Sequence, residues 1–211
     1  MFKWILAALC TLSSLGLCLP KYLGRGKERL FWKFAGTASA LPLAVYGACI
    51  HGGRTWLCVA AITLCAAADV MLEKKFLIGM AMFAAAHVCF ILWMVSVKPI
   101  GAVQLIAWAA LLCVVAVLLY SWRKMIGDMM LPYAGYAVLI SLMGACTIGA
   151  ASMGTLAGIL AAVGGMMFIA SDALVCKGLI MSVDKAHHWI TMGLYYGAQL
   201  FFAMAAAVGL K

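Results

Sequence analysis

Two aspartates lie inside the most apolar segments of this chain. Asp69 follows three alanines in "CAAADVML", residues 65–72, and Asp172 follows a serine in "MFIASDALVC", residues 167–176. An aspartate within a membrane helix costs about 2.5–3.5 kcal/mol on insertion scales, so such a residue is expected to serve a function. Two carboxylates in a partly dry pocket can divide the acid and base roles between them. With an activated water molecule, they could hydrolyse an acid-labile bond.

Other polar side chains are predicted to lie at a similar depth in the membrane. Thr191, Tyr195 and Gln199 are each four residues apart and therefore share one helix face. Tyr133 and Tyr136 are three residues apart and also share a face. Besides the two aspartates, the candidate site residues are His87, Ser171, Tyr195, Tyr196, Gln199, Tyr133, Tyr136 and Lys33. We predict that they line one polar cavity, which suits a single-chain lipid as substrate.

Several of these residues also have simpler structural interpretations. Tyr133 and Tyr136 would suit the aromatic belt at the membrane interface. Lys33 could extend its ammonium group to the lipid headgroups, and Ser171 could bond the backbone of its own helix four residues back. Gln199 could join two helices by a hydrogen bond.

The composition predicts an integral membrane protein. Of the 211 residues, 68% are hydrophobic and 10% are charged, whereas a soluble domain is about half apolar and about a quarter charged. A folded chain of this size could not hide that much apolar surface from water. The net charge of +9 would suggest nucleic acid in a soluble protein. In a membrane protein the same charge indicates basic connectors beside anionic lipid headgroups. We therefore predict no nucleic-acid partner.

Eight apolar runs are long enough to cross a hydrocarbon core about 30 Å thick, which takes about 20 helical residues. They lie at about 2–19, 34–50, 55–72, 76–97, 102–120, 129–151, 155–176 and 189–210. The first run lacks a small-residue cleavage site, so we predict a membrane helix there and no signal peptide. The sequence therefore predicts an all-α, polytopic bundle of about eight transmembrane helices, forming a single integral membrane domain over 1–211. Glu73 is predicted to lie in a solvated turn, and His187 and His188 at the interface.

The basic residues are distributed unevenly over the predicted connectors. Eleven of the 15 follow the first, third, fifth or seventh run: Lys21, Arg25, Lys27, Arg29, Lys33, Lys74, Lys75, Arg123, Lys124, Lys177 and Lys185. The other side would hold Lys3, Arg54, Lys98 and Lys211. By the positive-inside rule the rich side is cytoplasmic, and both termini are predicted to be non-cytoplasmic. The candidate site then lies in the cytoplasmic half of the bundle.

Four segments carry a further pattern. In "AADVMLEKKFLIGMAMFAAAHVCFI", residues 67–91, an aspartate ends one helix and is followed by a short turn, an F-x-x-G and a histidine. "FIASDALV" (168–175), "YYGAQLFFA" (195–203) and "LFWKFAGTASALP" (30–42) add a Ser-Asp pair, a Tyr-Tyr-x-x-Gln motif and a lysine. Their order and spacing resemble the YhhN-like lysoplasmalogenase family over most of the chain. Ala68, Phe34 and Phe90 depart from the family's usual Gly, Pro and Tyr.

The resemblance implies hydrolysis of the vinyl-ether bond of lysoplasmalogens, which releases a fatty aldehyde and glycerophospho-ethanolamine or -choline. It implies that Asp69 and Asp172 divide the acid and base roles, while the other candidates position water or the headgroup. Lys33 would pair with the phosphate. The implied partner is a lysophospholipid from the inner leaflet, with no cofactor and no metal. The expected location is the bacterial inner (plasma) membrane.

Other functions remain open at this point. Buried aspartates also suit a proton-coupled small-solute transporter, in which they would form a relay. In a non-catalytic lipid-binding or assembly protein, they would only join helices. A zinc hydrolase is less favoured because no H-x-x-x-H pair occurs, and a serine hydrolase because G-x-S-x-G is absent.

Overall fold

The structure, a computed structural model, describes residues 5–10 and 27–210, with side chains placed for 5–10 and 30–210. The predicted first helix, at about 2–19, lies mostly outside these residues. All regular secondary structure in the described ranges is helical. The helices are α1 (5–10), α2 (Lys27–Ala38), α3 (Leu41–His51), α4 (Trp56–Lys74), α5 (Phe76–Val97), α6 (Ala102–Ile126), α7 (Met130–Ala151), α8 (Leu156–Ile180) and α9 (Lys185–Val208).

Six helical segments of the described part are long and apolar enough to cross a membrane, so the chain is an integral, multi-pass membrane protein. One of them, Ala102–Ala151, has 50 residues and contains both α6 and α7. These two helices pack against each other and are joined by a short 3₁₀ turn, Gly127–Met129. The chain reverses there because Gly127 takes a φ of 58°, which side chains disfavour.

The predicted run at 34–50 is divided between two helices. α2 ends at Ala38 and α3 begins at Leu41, with Pro42 in the first turn of α3. Proline has no backbone N–H to donate to the preceding turn, and its ring clashes with the carbonyl four residues back. A proline is tolerated at the start of a helix, which explains why the helix restarts at this point.

Small residues bring α9 into the centre of the bundle. α9 packs against α8 along its length and against α3 and α4 on other faces. Gly47 of α3 lies directly against the backbone of Ala206, where no side chain would fit. Deeper packing is aromatic, with the rings of Phe90 and Phe202 stacked at a centroid distance of 4.0 Å. Position 90 is therefore a packing position in this chain.

α7 lies between several other helices of the bundle. It packs against α6, α8 and α5. Gly158 and Gly165 of α8 face it, since a Cβ at Gly165 would meet the side chain of Thr147 and a Cβ at Gly158 the backbone of Ala150. Such small residues let membrane helices approach closely.

α4 and α5 form a tight helical hairpin that carries the first aspartate motif. Only Lys75 separates the two helices. Gly79 packs so closely on α4 that a Cβ there would lie 2.5 Å from Cα of Leu72. The F-x-x-G spacing thus serves the closure of this hairpin.

We expect Gly79→Ala to lower the free energy of unfolding by about 1–3 kcal/mol, because the backbone of Leu72 cannot move aside cheaply. Thermal or denaturant unfolding in mild detergent would measure the loss. Gly193→Ala is the matched control, since Gly193 is helical with no atom within 4 Å of an added Cβ. It should leave stability unchanged or raise it by up to about 1 kcal/mol. Equal stability of the two variants would contradict the close contact.

Candidate active site

Asp69 is buried among donors from two other helices. Asp69, on α4, is 2% exposed. Its Oδ2 accepts hydrogen bonds from Thr37 Oγ1 of α2 at 2.5 Å and from Tyr195 Oη of α9 at 2.9 Å. A buried charge is tolerated when such donors replace its water shell.

Lys33 supplies the counter-charge to Asp69. Its Nζ lies 3.7 Å from Asp69 Oδ1 and 3.6 Å from Glu73 Oε1. Lys33 is only 8% exposed, so it does not extend to the headgroups. Glu73 is exposed, as predicted, but it lies in the last turn of α4, one helical turn after Asp69, and both carboxylates face the same ammonium group.

Asp172 has a different set of partners. The Tyr136 hydroxyl of α7 donates to Asp172 Oδ2 on α8. His87 Nε2 of α5 lies 2.9 Å from Tyr136 Oη and 4.0 Å from Asp172 Oδ2. The Asp172 side chain is 20% exposed, and among described residues no Lys or Arg pairs with it.

A chain of hydrogen bonds joins His87, Tyr136 and Asp172, and the direction of donation along it can reverse. While Tyr136 donates to Asp172, the Tyr136 oxygen accepts from N–H at His87 Nε2. If Asp172 holds a proton, it can donate to Tyr136, and the Tyr136 hydroxyl then donates to His87. His87 is fully buried and its Nδ1 has no hydrogen-bond partner among the described residues. The chain therefore accommodates Asp172 with or without a proton.

Both carboxylates line one cavity of about 700 Å³. Its polar end is built from five helices, and besides the two aspartates it includes Lys33, Glu73, Tyr133, Tyr136, Ser171, His187, His188, Thr191 and Tyr195. The rest of the wall is apolar. Such a cavity, with a few polar groups in an apolar wall, is typical of small-molecule sites.

The structure thus brings most of the predicted site residues to one cavity. Tyr133 lines it, as Tyr136 does, rather than lying only in an aromatic belt. Ser171 donates to the carbonyl of Thr191 on α9 at 3.1 Å, so the alternative of a bond within its own helix is wrong. This bond fixes α8 against α9 beside Asp172.

Three of the predicted residues lie behind the cavity wall. His87 is reached only through Tyr136. The Tyr196 hydroxyl donates to the carbonyl of Lys33 at 3.5 Å, and its ring packs on Gly36. Gln199 is buried beside the Cys65 thiol of α4, and this contact joins α9 to α4.

Thr37 and Glu73 belong to the site but are absent from the predicted set, whereas Thr191 was placed on the face of Tyr195 and Gln199 without being listed as a candidate. Thr37 lies four residues after Lys33, and Glu73 four residues after Asp69. The helical i, i+4 spacing was the signal that could have found both. The described residues contain no group of three His, Cys, Asp or Glu side chains arranged to hold a metal ion.

We expect Lys33→Met to lower the free energy of unfolding by about 3 kcal/mol, because it leaves the buried Asp69 without a counter-charge. Unfolding in detergent would measure this loss. The double variant Lys33→Met/Asp69→Asn should regain a large part of it, since no buried charge is left unpaired and Glu73 is exposed to water.

Lys177→Met, which removes an exposed lysine of α8, is the control and should change stability by less than about 0.5 kcal/mol. If Lys33→Met were as stable as the parent, Lys33 would not be the partner of Asp69.

Comparisons with known proteins agree with this arrangement of motifs. The profile of the YhhN family matches residues 28–206, which include both aspartates. The lysoplasmalogenase TMEM86B of Rattus norvegicus is 29% identical over 179 residues, covering 81% of this chain and 71% of that protein. No solved structure matches the chain. Because the family profile spans most of the sequence and all of the cavity's helices, the chain belongs to the YhhN family.

Proposed function

We propose that this protein is a membrane hydrolase that cleaves the vinyl-ether bond of lysoplasmalogens. The products would be a fatty aldehyde and a glycerophospho-ethanolamine or -choline. The observation that supports this most is that two carboxylates line one cavity whose wall is otherwise largely apolar. The two carboxylates have different hydrogen-bond partners. The name of the rat relative, a lysoplasmalogenase, points to the same substrate class.

Asp172 is the proposed general acid. It faces the cavity without a Lys or Arg partner among the described residues, and the Tyr136–His87 chain can adapt to its protonated form. Cleavage begins when Asp172 transfers its proton to the vinyl carbon that is not bonded to oxygen. The double bond supplies the electron pair for the new C–H bond, and the ether oxygen shares a lone pair to give an oxocarbenium ion.

Asp69 is the proposed electrostatic partner of that cation. Lys33, Thr37 and Tyr195 hold it as a carboxylate throughout the reaction. A fixed negative charge in a site of low dielectric stabilises the positive charge that develops in the transition state. In this proposal Asp69 stabilises charge, and Asp172 serves first as acid and then as base.

Water completes the reaction. After it has lost its proton, Asp172 accepts a proton from a water molecule as the water oxygen attacks the oxocarbenium carbon. The resulting hemiacetal breaks its bond to the glycerol oxygen, which takes up the hydroxyl proton. The free aldehyde and the glycerophospho-ethanolamine or -choline leave the cavity, and Asp172 is again protonated.

The proposed topology has eight crossings in a single membrane domain over 1–211. Seven come from the described part, with α2 and α3 together forming one and α6 and α7 one each. The first comes from the N-terminal run. Basic connectors follow α4, α6 and α8, so we propose that the polar end of the cavity faces the cytoplasm and that both termini do not. The proposed location is the bacterial inner membrane.

We expect Asp172→Asn to lower turnover of a lysoplasmalogen by about 10³-fold, because an amide cannot donate the proton. Asp69→Asn should lower it by about 10²-fold, because the cation loses its counter-charge. Aldehyde release by the purified protein, followed with a coupled dehydrogenase, measures both.

Asp128→Asn is the matched control, since Asp128 is exposed in the turn before α7, and it should retain parental turnover. Full turnover in the folded Asp172→Asn variant would overturn the assignment of the acid. If the folded parent releases no aldehyde but moves a solute into sealed vesicles, the protein is a transporter.

Tyr136→Phe removes the hydroxyl between Asp172 and His87. We expect kcat to fall by about tenfold with little change in KM, since the hydroxyl assists proton transfer rather than lipid binding. Tyr120→Phe on the exposed face of α6 is the control. A rise in KM with unchanged kcat would assign Tyr136 to substrate binding instead.

A further inference from the structure

Matching faces of α5 and α9 meet at the centre of the bundle. On each helix three side chains follow one another at spacings of four and then three residues, which places them on one face. They are Phe83, His87 and Phe90 of α5 and Tyr195, Gln199 and Phe202 of α9. All six are buried.

The ring contacts between these faces set their register. Phe83 packs edge-to-face on Tyr195 with ring centroids 6.0 Å apart, and Phe90 stacks on Phe202 at 4.0 Å. The second pair lies seven residues further along both helices, so α5 and α9 run in the same direction. The residues four positions beyond the first pair, one on each helix, therefore face each other between the two aromatic pairs. These are His87 and Gln199.

The compartment between the two aromatic pairs is also bounded by other helices. The ring of Phe168 on α8 packs edge-to-face against His87 with centroids 4.7 Å apart. Cys65 of α4 lies beside Gln199. His87 is fully buried and Gln199 is 1% exposed, and neither of them lines the cavity. Two polar side chains thus share a compartment that aromatic rings separate from the cavity.

The hydrogen-bonding capacity in this compartment exceeds what its protein groups use. His87 Nε2 meets the Tyr136 hydroxyl, whereas Nδ1, which points away from Nε2, has no partner in the part of the chain that the structure describes. The Gln199 amide offers two N–H donors and a carbonyl acceptor, and its contact with one thiol uses only part of them. Buried polar atoms are costly unless a hydrogen bond satisfies them.

A water molecule is the occupant that meets this requirement. His87 Nδ1 does not bond Gln199 directly, although the two side chains face each other. Histidine and glutamine are shorter than the phenylalanine and tyrosine side chains that space the helices on either side of them, which leaves room between the two. Buried waters typically bridge polar groups of this kind.

We propose that a structural water molecule lies between His87 Nδ1 and the Gln199 amide, and that Gln199 acts through it as a positioning residue for Asp172. The water holds the His87 ring where Nε2 meets Tyr136. Because water can donate or accept, it satisfies Nδ1 in either tautomer of a neutral His87, and so in either direction of donation along the chain to Asp172. This role rests on the proposed function, whereas the water site does not.

Nuclear magnetic resonance of the full chain in liposomes tests the water site without catalysis. Histidine and glutamine are isotope-labelled, and magnetisation is transferred from water protons to the side-chain nitrogens. Correlation to Cγ distinguishes Nδ1 of the ring from Nε2, and the residues are assigned through the backbone. We expect transfer from water to His87 Nδ1 and to the Gln199 amide in the parent chain.

Three variants identify the source of the transfer. Tyr136→Phe removes the hydroxyl at Nε2 and should leave the transfer to Nδ1 intact, which excludes a relay from the cavity. Gln199→Met keeps the length of the side chain without its hydrogen bonds and should abolish the transfer. Gln104→Met is the matched control and should retain it, because it makes the same change at the other glutamine, which is buried at the start of α6.

Turnover tests the positioning role. Gln199→Met should lower kcat for a lysoplasmalogen by about fivefold with little change in KM, the effect of losing about one ordinary hydrogen bond. Gln104→Met should keep the parental kcat. A rise in KM with unchanged kcat in Gln199→Met would overturn the positioning role, because a group behind the cavity wall does not bind the lipid.

The outcomes separate the two proposals. No transfer to His87 Nδ1 in the parent, or an unchanged transfer in folded Gln199→Met, would overturn the water site. If Gln199→Met fails to fold, the parent still decides, since a Gln199 amide that receives no transfer from water would exclude the bridge. Transfer as expected, without aldehyde release by the folded parent, would overturn only the proposed reaction.

Discussion

The burial of Asp69 is the constraint on which the rest of the structure depends. Removing a carboxylate from water costs several kcal/mol unless other groups replace its hydration. Here the replacement comes from Lys33 and Thr37 on α2 and from Tyr195 on α9. Three helices must therefore hold fixed positions around one side chain. Their arrangement fixes the polar end of the cavity before any substrate is bound, which is the preorganisation that electrostatic catalysis requires.

The contrast between the two aspartates follows from their neighbours. Asp69 lies deep among hydrogen-bond donors and beside the ammonium group of Lys33. Asp172 shares an adaptable chain with Tyr136 and His87 and remains partly open to the cavity. Two identical side chains thus have different hydrogen-bond partners and different exposure to the cavity. A reaction that must deliver a proton and then stabilise a cation needs this asymmetry.

Much of the architecture could be predicted from apolar runs and short connectors. α5 was predicted with its observed bounds, 76–97, because a lysine on one side and a Lys-Pro pair on the other end the apolar run. The run at 34–50 was predicted as one helix, although Pro42 marks the place where α3 starts anew. Glu73 was assigned to a solvated turn because its neighbours are two lysines. Glu73 is indeed exposed, and its four-residue spacing to Asp69 also brings it to the ammonium group of Lys33.

The sequence by itself determined that this is a helical membrane protein of the YhhN family with two aspartates in its apolar helices. Hydrophobic runs and linear motifs are enough for that, since both are local properties of the chain. Only the tertiary structure decided which groups surround each carboxylate, that Tyr136 lies between His87 and Asp172, and that α6 contributes apolar side chains to the cavity wall. These features depend on helix rotation and on contacts between distant segments. Spacing along one helix shows which side chains share a face, but it does not show which partner that face meets.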